Sequence, residues 1–196
     1  MKGVWKHLKM LPVIVYPYLY MVAACIVFIV ALVEDNTTQS YEYTMLSIVI
    51  AVFSAVFVTL FCLLLAIFNS IRSGKNAYGT YYPTRMNLMI KCIQIPAYVI
   101  NFVIGMLGIV MSLWGIGFIA LAVIVDFLTI SISGTNNVGT CVNLYKTNVL
   151  TKGKAVLFSV LSYVYVVDVF VAIYLFIQAR KNRIRDFIKN NIHNGD

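Results

Sequence analysis

Charge is what this sequence most conspicuously lacks. Only 11% of its 196 residues are charged, against about 25% in ordinary soluble domains. No polar stretch runs longer than about 25 residues, which leaves no room for a separate soluble domain. Histidine is nearly absent. His7 and His193 stand at opposite ends of the chain with no ligand partner near them. The four cysteines, Cys25, Cys62, Cys92 and Cys141, form no CxxC pair. Neither a metal site nor a cofactor is expected. Catalytic signatures are missing too. There is no His-Glu-x-x-His helix and no Gly-x-Ser-x-Gly elbow, and Gly74-Lys75 lacks the rest of a phosphate-binding loop. Asp126 and Asp168 alone can imitate an aspartyl pair, but nothing in their flanks supports that chemistry. An enzyme is therefore not expected.

What is present is apolar side chain, 61% of the total. The longest uninterrupted piece runs from Cys92 to Val125 without one Asp, Glu, Lys or Arg, and its apolar character continues to about Ile132. As a single helix rising about 1.5 Å per residue it would be roughly 50 Å long or more, against a bilayer core of about 30 Å. One crossing would need a tilt above about 50°, outside the usual range. The segment is expected to double back at Trp114-Gly115-Ile116-Gly117, where two glycines permit a turn and a Trp favours the interface.

Around this piece the chain reads as an all-α integral membrane helix bundle. One transmembrane domain fills residues 1–196, with spans at about 11–33, 45–68, 93–113, 117–133 and 155–178. The first run is too long for a signal peptide and is expected to be retained, with Trp5, Tyr16, Tyr18 and Tyr20 anchoring its start at the headgroups. Residues 34–45 carry Glu34, Asp35 and Glu42 and no base, which places them outside and the N-terminal tail in the cytoplasm. The segments 69–91 and 134–154 read as cytoplasmic loops, the second with one short helix. Residues 179–196 form a basic tail, with Arg180, Lys181, Arg183, Arg185 and Lys189 beside Ile184, Phe187, Ile188 and Ile192 at helical spacing. That pattern suits an amphipathic helix on anionic lipid headgroups. The formal net charge of +8 is explained the same way, because the bases flank apolar runs. Nucleic acid is not an expected partner.

The span count carries a conflict. Five spans put ten of the fifteen Lys and Arg inside and the basic tail outside, whereas four spans, with 92–133 crossing once, put twelve inside. Length favours five; charge favours four. Unsatisfied backbone in lipid costs several kcal/mol per group, so five is preferred and four is the alternative.

Two faces are built for close helix packing. Ser47, Ala51, Ala55 and Thr59 recur every four residues in the second span, and Asn101, Gly105, Gly108 and Ser112 share a face of the third. Internal packing is the preferred reading over a dimer interface.

Asp126 and Asp168 each fall near the middle of a span, and Asn101 lies at comparable depth. A charged Asp at the bilayer centre costs about 2.5–3.5 kcal/mol, and no expected span contains a base to neutralise it. Three solutions exist: a protonated acid bonded to groups such as Asn101, Ser159 or Ser162; an acid that binds a mobile proton or cation; or a pairing with a basic residue of another membrane subunit. The expected function is that of a non-enzymatic accessory or interaction protein. The alternative is a small proton- or cation-coupled transporter or channel using Asp126 and Asp168.

The stretch Asn143–Lys154, with its spaced lysines, and the following Val166-Val167-Asp168-Val169 helix ending in Arg180-Lys181 resemble small multi-span membrane proteins of unknown function from Gram-positive bacteria. That resemblance implies a bacterial plasma-membrane protein and carries no activity with it.

Overall fold

The computed structural model describes residues 11–37, 42–75, 79–110 and 115–193. These form six helices: α1 (Leu11–Thr37), α2 (Glu42–Gly74), α3 (Tyr81–Val110), α4 (Gly115–Lys146), α5 (Lys152–Leu161) and α6 (Val167–His193). Four of them, α1 to α4, are long and apolar enough to cross a membrane. Within the long uncharged segment α3 ends at Val110 and α4 begins at Gly115, and α4 doubles back on α3, since Asn101 and Asp126 are hydrogen-bonded. Trp114 and Ser112 lie outside the described residues, as do Trp5, His7 and the lysines before α1.

The chain divides into two compact units: Met1–Leu64 with Ala97–Thr129, and Leu65–Pro96 with Ile130–Asp196. The division in α3 falls at Pro96, which has no N–H to give the helix ladder.

In the first unit α1 packs on α2 through the small-residue stripe. Tyr16 lies 3.0 Å from the Thr59 hydroxyl, and Tyr20 donates to the Ala55 carbonyl at 3.2 Å and also meets Thr59. The two tyrosine rings meet edge to face. Tyr16 is therefore fully buried against α2. At the other end of α1, Glu34 takes the place of an N-cap for α2. Its carboxylate accepts the Tyr43 N–H at 2.9 Å, the Thr44 N–H at 2.7 Å and the Thr44 hydroxyl at 2.6 Å. Those donors have no partner inside a helix, and the helix dipole favours an anion there. Outward faces are apolar, with Phe53, Phe57, Phe102 and Phe127 all exposed.

The second unit departs from the expected loops. Residues 81–91 belong to α3, with Pro83 in its first turn where a missing N–H costs nothing. Residues 134–146 belong to α4 despite their Asn, Thr and Gly. Helix propensity there is poor, but Asn136, Asn137, Thr140 and Asn143 are all buried. The glycines let backbones touch: a Cβ on Gly139 would overlap the backbone of Ser70 in α2, and one on Gly134 would come within 2.8 Å of the Ser162 carbonyl.

The expected fifth span, 155–178, is not one helix. It is cut at 162–166 and folded on itself. The rings of Phe158 on α5 and Tyr174 on α6 are 4.9 Å apart, where an unbroken helix would separate them by about 24 Å. Ala155 and Ala179 lie in one apolar cluster with Cys141 and Leu144 of α4. The helices α5 and α6 are thus the arms of a hairpin laid against α4.

Candidate functional site

The hairpin turn holds the most unusual chemistry in the molecule. Ser162 leaves α5 with its hydroxyl bonded back to the Phe158 carbonyl at 2.6 Å. Val166 adopts φ 66°, a left-handed conformation that a β-branched side chain resists, at a cost of about 1–3 kcal/mol. The chain then closes tightly, with the Val167 N–H on the Tyr165 carbonyl at 2.8 Å and the Asp168 N–H on the Val164 carbonyl at 3.0 Å. Asp168 is set in the first turn of α6, where the helix dipole stabilises its charge.

Opposite it stands Lys91 of α3. Its ammonium group forms an ion pair with Oδ2 of Asp168 and donates to the Ser133 hydroxyl of α4 at 2.6 Å. Both charged side chains are 1% exposed. Oδ1 of Asp168 is equally buried and has no hydrogen-bond partner among the described residues. The pair therefore joins three helices and leaves one carboxylate oxygen free to accept.

Amide groups continue the connection along α3 and α4. Asn87 donates to Oδ1 of Asn137 at 3.0 Å and to the Thr140 hydroxyl at 2.7 Å. Asn137 in turn donates to the Ser162 hydroxyl in the hairpin turn at 2.6 Å. The turn is thus held by Asn137 on one side and the ion pair on the other.

The sequence reading grouped Asn101, Asp126 and Asp168. The structure gives two arrangements. In the first unit Asn101 donates to Oδ1 of Asp126 at 2.7 Å, and Asp126 is half-buried. In the second unit Asp168 takes Lys91. The expectation that no base lies within reach of the acids is corrected: Lys91 sits in a helix, not at a loop edge. Its signal was legible. Thr84, Asn87, Lys91, Gln94, Tyr98 and Asn101 follow one another at steps of three and four, and all are buried. Ser159 and Ser162, the other expected partners for an acid, bond to carbonyls of their own helix.

Of the packing residues, Ser47, Ala51, Ala55 and Thr59 are half-buried on α2. Gly108 is buried, while a Cβ on Gly105 would meet nothing within 4 Å. Arg180, Lys181, Arg183 and Arg185 are exposed on α6, and the side chain of Lys189 lies outside the described ones. Among the described residues no three His, Cys, Asp or Glu side chains gather where a metal ion would fit.

A family model described as a family of unknown function, DUF6652, matches residues 6–181. No curated protein and no solved structure matches the chain.

Proposed function

We propose, taking the chain's membership of the DUF6652 family as the starting point, that it is a multi-pass protein of the bacterial plasma membrane that moves protons or cations through a centre formed by Lys91 and Asp168. It does so without covalent chemistry. One observation carries this reading: a buried carboxylate with an unpartnered oxygen, beside a buried ammonium, at the tip of a broken helical hairpin. Charges inside a membrane are expensive and mark ion or proton pathways. Irregular backbone at membrane depth survives only inside protein or beside water, and transporters place coupling ions at such breaks. A proton or cation on Asp168 would weaken its hold on Lys91, and the turn would be released from α3.

The hairpin supports one arrangement in the membrane. The helices α1 to α4 cross, and α5 with α6 enter and leave by one side. The end of α4 and the tail after α6 then share the cytoplasmic side with the segment before α1. All fifteen Lys and Arg belong to helices or tails that start or end there, and the acidic turn at Glu34, Asp35 and Glu42 faces outward. This removes the charge conflict that five crossings create. It also sets Lys91 six residues, about 9 Å, along α3 from Arg85 at the cytoplasmic end, within the cytoplasmic half of a core of about 30 Å. A reporter fused after Asp196 should be active in the cytoplasm; activity on the outer side would restore a fifth crossing.

The test of function is flux in proteoliposomes under imposed proton, sodium and potassium gradients. Wild-type protein should conduct or exchange one of them, and Asp168→Asn should abolish it while still inserting. A wild type inert to all three gradients would remove the proposal.

Asp126 supports a second reading, that of an accessory subunit. It is half-buried among exposed Val123, Ile124 and Phe127, so its carboxylate is within reach of a basic residue from a neighbouring membrane protein. Co-purification of a partner lost on Asp126→Asn would favour it; a monodisperse protein that purifies alone would count against it.

A further inference from the structure

The second unit collects its basic side chains at one end. Lys146 at the close of α4 donates to the Gly74 carbonyl at the close of α2, at 2.8 Å. Asn143 donates to the Gly79 carbonyl at 3.0 Å, just before α3. The Tyr81 ring lies 5.6 Å from that of Phe176, and the Arg183 guanidinium lies over Tyr81 at 4.7 Å. The ends of α2 and α4, the start of α3 and the middle of α6 are therefore neighbours. Arg72 and Lys75 come from α2 and its end, Arg85 from the first turns of α3, and Lys152 and Lys154 from the start of α5. The only described acid among them is Asp186, whose carboxylate already accepts from Asn182 at 3.0 Å.

The exposed part of α6 adds an apolar face to this charge. Ile177, Ile184, Phe187 and Ile188 are all open to the surroundings, beside Arg180, Lys181 and Arg185. A helix of that composition lies in a bilayer interface with its bases toward the headgroups.

We infer that this basic end of the second unit docks on anionic phospholipid headgroups, through the exposed bases of α6 beyond Ala179. The inference rests on the multi-pass reading but not on ion movement, so a protein inert in flux assays leaves it intact. Each base near an anionic surface strengthens binding by about fivefold, and that gain falls away within a Debye length of about 10 Å. Arg183, held on Tyr81, fixes where α6 leaves the protein and meets the lipid.

The experiment uses the full chain. Cys25 and Cys92, the exposed cysteines, are replaced by Ser, and an environment-sensitive fluorophore is attached at Phe187→Cys. The protein is reconstituted in vesicles of phosphatidylcholine with and without phosphatidylglycerol. Phosphatidylglycerol should shift the emission to the blue and cut quenching by iodide severalfold, and high salt should reverse both. The combined variant Arg180→Gln, Lys181→Gln and Arg185→Gln should insert normally and lose the lipid response. Identical spectra in the two vesicle types would overturn the inference. So would a blue emission indifferent to salt, which would mean that α6 rests on protein and not on headgroups.

Discussion

Lys91 and Asp168 are separated by 77 positions in the chain and bonded to each other in the interior of the second unit. Both charged side chains are buried. Removing one partner leaves the other buried and uncompensated, at a cost of about 3–5 kcal/mol. Lys91→Met and Asp168→Leu should each lower the melting temperature in detergent sharply. The double variant should recover much of that loss, because no lone charge remains. If the double variant melts no higher than the singles, the ion pair is not what joins these helices.

Gly139 and Gly105 make a matched test of helix contact. A methyl group at Gly139 would run into the backbone of Ser70, which cannot move aside as a side chain can. Gly139→Ala should destabilise by at least about 1–3 kcal/mol. At Gly105 there is open space, and Gly105→Ala should be neutral or gain up to about 1 kcal/mol from better helix propensity. Thermal melts of the two variants side by side decide the matter, and equal losses would contradict the packing described.

Glu34 closes the α1–α2 connection by accepting three donors from Tyr43 and Thr44. Glu34→Ala should cost about 1–2 kcal/mol, in line with the loss of a helix cap. Hydrogen exchange should accelerate at the Tyr43 and Thr44 amides and leave α6 unchanged. Unaltered exchange at those two amides would show that the carboxylate does not hold them.

Val166 stores strain at the hairpin turn. Val166→Gly relieves it and should be neutral or stabilising, by up to about 1 kcal/mol after the entropy of glycine is counted. Val166→Pro is incompatible with a positive φ and should destabilise strongly. A glycine variant that melts well below wild type would mean that the valine side chain packs more than the turn strains.

The doubling back of α4 on α3 was legible because length is a global property: a segment longer than the bilayer has to bend somewhere. The four long apolar helices were legible for the same reason. The continuation of α4 through 134–146 was not. Asn, Thr and Gly weaken a lone helix, and only contacts such as Asn87 with Asn137 and Gly139 against Ser70 reverse that. The fold-back of the last apolar run was hidden more deeply. Ser162-Tyr163-Val164-Tyr165-Val166 contains no glycine or proline and carries β-branched and aromatic side chains that seldom turn. The break is imposed by partners distant in sequence. Lys91 was missed because composition windows count a base as a boundary, whereas the step of three and four from Thr84 to Asn101 marks an inward face.

The hairpin also makes order of assembly matter. Left alone in lipid, the stretch from Ala155 to Gln178 is apolar enough to settle as a straight rod with its far end across the bilayer. What holds it bent are donors on helices that leave the ribosome earlier: Lys91 on one, bonded to Asp168, and Asn137 on the next, bonded to Ser162. The hairpin segment, synthesised after them, enters a membrane where its template already stands. A lesion in the template would therefore express itself first as a tail stranded on the opposite face, before any loss of the helices themselves.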